Sequence, residues 1–181
     1  MRSLVTQTRR ARAFSGILWI AGCGSPSPED PRSDASPLPQ ASLEVGTGLE
    51  SFEDLSALAQ TPIVAGSQGG GRYFGYHVWI SVRAMGLDPR RVHAEFDLSG
   101  EDPAEILGHL ELDRNLTEHE GWLTFAGARL LLEDCCRAEG RPVVLSSTVT
   151  DVRGARASDR RRTTLGECPR SPVDPTVDPC A

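Results

Sequence analysis

Few residues in this chain can do chemistry, and one chemically useful type is missing. Cys23, Cys135, Cys136, Cys168 and Cys180 are the thiols, and His77, His93, His109 and His119 are the imidazoles. All 19 cationic side chains are arginine, and there is no lysine. A Walker-type phosphate loop and Schiff-base catalysis both need a lysine, so both are excluded. A net charge of −6 speaks against a nucleic-acid partner, whose phosphates call for a basic face. Ala65-Gly66-Ser67-Gln68-Gly69 has the outward form of a nucleophile elbow, with Ala in the first Gly position. An elbow needs a strand, a sharp turn and a helix. Here Ser67 runs into Gly69-Gly70-Gly71 and then another strand, so the segment reads as a hairpin loop whose glycines permit positive φ. His77, Trp79 and Arg83 alternate on one face of an apolar run, and His93 stands on the matching face of the next. Together they form the candidate binding patch, because aromatic and arginine side chains dominate recognition surfaces. No Cys-x-x-Cys or His-x-x-x-His accompanies the cysteines, and His109 and His119 are loosely placed, so no metal centre and no cofactor are expected. Asp97, Glu101 and Asp102 offer oxygens of the kind calcium takes, and read as solvated turn acids.

The elements that must position these residues are strands. In Tyr76–Ala84 one face is Tyr76, Val78, Ile80, Val82 and Ala84, and the other is His77, Trp79, Ser81 and Arg83. In 91–98, Val92, Ala94, Phe96 and Leu98 face in while Arg91, His93, Glu95 and Asp97 face out. A period of two marks a half-buried strand. Weaker strands are expected at 42–46, 62–65, 109–113, 122–126, 128–132, 143–152 and 161–167. Gly- and Pro-containing turns separate them. One helical exception is expected over 51–60, where Phe52, Leu55, Leu58 and Ala59 fall at helical spacing behind Ser51. Seven to nine such strands predict an all-β, antiparallel β-sandwich, immunoglobulin-like in the broad sense, with a small barrel as the alternative. Arg160-Arg161-Arg162 reads as a strand edge guarded by charge.

The N-terminus carries Arg2, Arg9, Arg10 and Arg12 and no acid, followed by an apolar run from Ala13 to Gly22. Ten residues fall short of the roughly 20 that span a bilayer as a helix, and a basic flank with a short apolar run is the form of an export signal. The run ends Ile20-Ala21-Gly22-Cys23, which resembles the lipobox of bacterial lipoproteins. The resemblance covers the signal and Cys23 only. It implies cleavage before Cys23, diacylglycerol on its sulfur and an acylated amino group. Each buried CH₂ contributes about 0.8 kcal/mol, so two or three acyl chains hold firmly. Gly24, rather than Asp, follows Cys23, which by the same resemblance implies delivery to the outer membrane rather than the inner.

Prolines divide the rest. Nine of the 13 lie in residues 24–42 and 169–181, which leaves residues 43–168 as the folded domain. Residues 1–22 are then the signal, 23–42 a lipid-anchored tether and 169–181 a Pro-rich tail. The tether would span roughly 25 Å as a flexible coil and about 60 Å as polyproline II. With Cys23 lipidated, four cysteines remain, an even number in an exported chain. Adjacent Cys135 and Cys136 would form a strained ring with each other, so one is expected to join Cys168 and the other Cys180. The expected protein is a non-enzymatic interaction or structural module. It would attach to the membrane through lipid on Cys23 and face a protein or other envelope partner. A small envelope hydrolase or metal-binding protein is the alternative. Loss of residues 1–22 leaves 15 Arg against 25 Asp+Glu, a charge of −10.

Overall fold

The computed structural model describes residues 40–67, 74–170, 176 and 178–180, with the backbone alone at Ser67 and Phe74. The signal, Cys23, most of the tether, the Gly69–Gly71 turn and most of the tail lie outside the described residues. Nine strands follow in order: β1 Ser42–Gly46, β2 Val64–Ser67, β3 Phe74–Met85, β4 Val92–Ser99, β5 Ile106–Arg114, β6 Thr117–His119, β7 Trp122–Leu132, β8 Pro142–Thr150 and β9 Arg156–Thr164. One short helix, α1, covers Cys135–Ala138.

The strands form two antiparallel sheets. In the five-stranded sheet the order is β1-β3-β7-β6, and β2 lies on the same side of β3 as β1. The other sheet runs β5-β4-β8-β9. This is an antiparallel β-sandwich, not a closed barrel. The core is where the period of two placed it: Val78, Ile80, Val82 and Ala84 of β3 and Val92, Ala94, Phe96 and Leu98 of β4 are each at most 1% exposed. Phe96 meets Phe125 edge to face across the core at 5.9 Å.

The sheets approach one another along their edges. The Val45 amide of β1 donates to Asp159 Oδ2 of β9 at 3.0 Å. Thr61 forms a parallel bridge to Leu165 just beyond β9. On the opposite side β5 presses on β7 at Gly108, where a Cβ would lie 2.5 Å from the Leu131 carbonyl oxygen and overlap the Leu130 side chain.

Three expected elements differ. Residues 122–126 and 128–132 are one strand, because Ala126 and Gly127 together oppose Ser81 in a β-bulge. Gly127 adopts φ +76 there and turns its amide to the Gly48 carbonyl at 3.1 Å. The segment 51–60 holds only a three-residue 3₁₀ turn, Leu55–Ala57, capped by Asp54 and not by Ser51. Ser51 and Phe52 are committed elsewhere, because residues 47–53 cross the outer face of the five-stranded sheet as a strap. Thr47 and Glu53 exchange backbone hydrogen bonds at 2.9 and 2.8 Å, and Phe52 lies over Gly46, where a Cβ would come within 2.7 Å of its ring. β9 begins at Arg156, earlier than its charged sequence suggested, because it pairs with β8 along its whole length. It is the last strand of its sheet, and Arg161 pairs with Asp159 within it at 2.7 Å.

Cys135 and Cys136 sit at the head of α1 and pair with Cys168 and Cys180, with Cα separations of 5.8 and 5.3 Å. Both separations fall in the range disulfides adopt. Closing loops of 33 and 44 residues stabilises the fold by about 4 kcal/mol each in the chain-entropy model. The second bond pins the end of the tail to the domain.

Candidate functional site

A row of side chains crosses the outer face of the five-stranded sheet. Glu44 of β1 stands opposite Arg83 of β3, Arg83 opposite Thr124 of β7, and Thr124 opposite Thr117 of β6. Arg83 is outward because Val82 and Ala84 on either side of it fill the core. Its guanidinium lies between two aromatic rings, 4.5 Å from the centroid of Phe52 and 4.7 Å from that of Trp122. Its Nε donates to Glu44 Oε2 at 2.8 Å, and Nη2 lies 2.6 Å from the same oxygen. The strap brings Phe52 to this place. Alternation along β7 brings Trp122.

These groups floor an open cleft of about 480 Å³. Its rim carries Glu50, His119 and Glu120. The β6–β7 hairpin supplies the last two: His119 ends β6 opposite Trp122, and Glu120 opens the two-residue loop Glu120-Gly121, with φ of +52 and +81. Glycine or asparagine is the usual occupant of the first position, so Glu120 holds a strained backbone at the rim. Arg83 is already neutralised by Glu44. The balance of charge around the cleft is therefore acidic, over an aromatic floor.

Of the four residues of the candidate patch, only Arg83 lines this cleft. Trp79 points to the same side of β3 four residues away, but the strap separates the two. Ser81, between them, is buried and donates to the Thr47 carbonyl, while the Thr47 hydroxyl donates to the Trp79 carbonyl at 2.6 Å. His77 shares the face of Trp79 but is covered: it is 3% exposed. β2 runs beside it, and the absent side chain at Gly66 leaves room for its ring, with a Cβ there falling 3.0 Å from His77 Cε1. Its ring meets Trp79 in a T-shaped contact at 4.6 Å, and the Arg129 guanidinium covers Trp79 at 5.3 Å. Burial, and then Arg129, lower the His77 pKa, so the ring is neutral at neutral pH. Its Nε2 has no hydrogen-bond partner among the described residues. His93 stands on β4, in the other sheet, so it does not neighbour His77 or Trp79.

The remaining candidates separate too. Ser67 ends a strand that pairs back onto β3, which is a hairpin and not an elbow. Asp97 turns to His109 at 2.7 Å, while Asp102 accepts from the Ala104 amide at 2.9 Å to close its own turn. Cys136, Cys168 and Cys180 bring their sulfurs within 4.8 Å of one another, but each is in a disulfide, and only a thiolate binds metal well. Other paired carboxylates hold loops: Glu105 takes both Nη atoms of Arg141 at 2.8 and 2.7 Å, and Asp151 fastens the β8–β9 turn.

Sequence reasoning missed Phe52 and Trp122. Trp122 was findable, since it alternates with Thr124 directly after the Glu120-Gly121 turn. Phe52 was not, because its spacing to Leu55 and Leu58 imitates a helix. No protein-family model matches the chain, and neither a curated protein nor a solved structure does.

Proposed function

We propose that this is an exported, lipid-anchored recognition module that takes a basic segment of an envelope protein into the cleft over Arg83. The observation that carries the reading is the Phe52–Arg83–Trp122 stack beneath two glutamates of the rim, Glu50 and Glu120. A cationic side chain entering there meets carboxylates at the rim, which favour an arginine or lysine, while its methylene stem packs along the edges of the rings. Arg83 props the rings apart and Glu44 cancels its charge, so the floor does not repel such a guest. The mature charge of −10 steers a basic partner toward the domain, and lipid on Cys23 with the Pro-rich tether holds the domain beside its membrane. Among the described residues no helix is long and apolar enough to cross a membrane.

A nine-residue arginine-rich peptide, titrated calorimetrically into the full chain, tests the cleft. Binding should weaken with salt, and Trp122→Ala, which changes no charge, should weaken it at least about 30-fold, the loss expected of a hot-spot aromatic. Equal binding of the Trp122→Ala variant, or equal binding of an acidic peptide, would overturn the reading.

A further inference from the structure

The outer face of the other sheet carries a repeated motif. β4 reads His93-Ala94-Glu95-Phe96-Asp97, and β5 reads His109-Leu110-Glu111-Leu112-Asp113. Both are His-x-Glu-x-Asp. The strands are antiparallel neighbours, and their register sets His93 opposite Asp113, Glu95 opposite Glu111 and Asp97 opposite His109. The two motifs are therefore related by a local dyad through the Glu95–Glu111 pair. Alternation sends all six side chains to solvent.

The dyad repeats one arrangement twice. His93 Nδ1 is 3.1 Å from Asp113 Oδ1, and His109 Nδ1 is 2.7 Å from Asp97 Oδ1. On the far side of each ring, His93 Nε2 is 3.4 Å from Glu95 Oε1, and His109 Nε2 is 3.3 Å from Glu111 Oε1. An aspartate that accepts from Nδ1–H orients the ring and leaves the Nε2 lone pair outward, which is how a metal-ligating histidine is usually held. Zinc bonds of 2.0–2.1 Å at the tetrahedral angle place two donor atoms about 3.3 Å apart. Each Nε2–Oε1 pair already has that bite. Directly opposed glutamates repel, and the described ion pairs of these four carboxylates involve only the two histidines, so added positive charge relieves the strand pairing.

We propose that the paired His-x-Glu-x-Asp strands form a twofold site for divalent transition-metal ions of the zinc type. His93 with Glu95, and His109 with Glu111, are the ligands. Asp113 and Asp97 are positioning residues. This site is independent of the cleft, which lies on the other sheet.

Zinc chloride titrated calorimetrically into the full chain tests it. Every variant carries Cys23→Ser and intact disulfides, so that no free thiol competes. The expected result is two zinc ions per chain, one lost in His93→Ala, one lost in His109→Ala and both lost in the double variant. Asp97→Ala and Asp113→Ala should each weaken one ion by about 10–100-fold, the usual loss when an outer partner of a metal-bound histidine is removed. All four substitutions are at exposed positions, and an unchanged far-ultraviolet circular dichroism spectrum verifies folding. Zinc uptake unchanged in the double histidine variant would overturn the proposal. So would calcium binding as tightly as zinc, which would mark only a diffuse acidic surface.

Discussion

Replacing Arg83 with alanine should cost the fold little, and the structure says how little. The guanidinium makes two cation–π contacts, at 4.5 and 4.7 Å, each contributing about 0.5–1 kcal/mol at a partly exposed site. It also pairs with Glu44, with side chains 31% and 29% exposed, a setting in which an ion pair contributes about 0.2–1 kcal/mol. One group makes all three contacts, so they do not simply add. The expected loss is about 2 kcal/mol, half the contribution of either disulfide loop. Urea denaturation should show the midpoint lowered by about 1 M with an unchanged slope. Arg83→Lys should recover less than half of the loss, because an ammonium keeps the charge but not the plane that fits between two rings. A loss under about 0.5 kcal/mol in Arg83→Ala would mean that the guanidinium is not ordered between Phe52 and Trp122. A loss above about 4 kcal/mol would make the stack part of the framework, and the recognition argument would fail.

Further outcomes follow from the packing and the carboxylates. Gly108→Ala should destabilise the fold by about 1–3 kcal/mol in the same urea assay, because its Cβ has no space between β5 and β7. Asp151 has a fully buried side chain; burial pushes its carboxyl up, but donors from Asp88, Arg153 and Ala155 outweigh that and hold it at about 2. A depressed acid stabilises the fold above its unfolded value of 3.8 and loses that contribution as pH falls toward 2. Of the stability lost between pH 4 and pH 2, Asp151 should therefore account for about 1–2 kcal/mol, allowing for solvent screening, and Asp151→Asn should remove that share. Cys23→Ser should accumulate as an uncleaved precursor on immunoblots. Normal processing of that variant would refute the lipid anchor.

The strands and the core were legible because burial writes a period of two into β3 and β4. The cysteine pairing was legible down to two alternatives because adjacent thiols exclude each other, and the position of Cys135 and Cys136 on α1 chose between them. The strap was not. Residues 47–53 owe their place to Gly46 and Gly127, two missing side chains far apart in sequence, and no local pattern reports a space left elsewhere. That one element buries Ser81, splits Trp79 from Arg83 and delivers Phe52 to the cleft. His77 was misread for a similar reason: the outward face of β3 is solvated only where β2 does not cover it. His109 was set aside because its spacing from the other histidines carries no sign. Its relation to His93 exists only in the register of β4 against β5.

A partner seated in the cleft over Arg83 should be within reach of a cross-linker placed at the rim. The direct measurement is photo-cross-linking in intact cells, with a benzophenone side chain in place of His119 at the rim or of Ser158 on the opposite sheet. The chain has no lysine, so amine-reactive reagents would have no side chain to react with. A partner in the cleft gives a discrete product from position 119, its loss on Trp122→Ala, and none from position 158. A product from 158 alone, or one from 119 that survives Trp122→Ala, would contradict that placement.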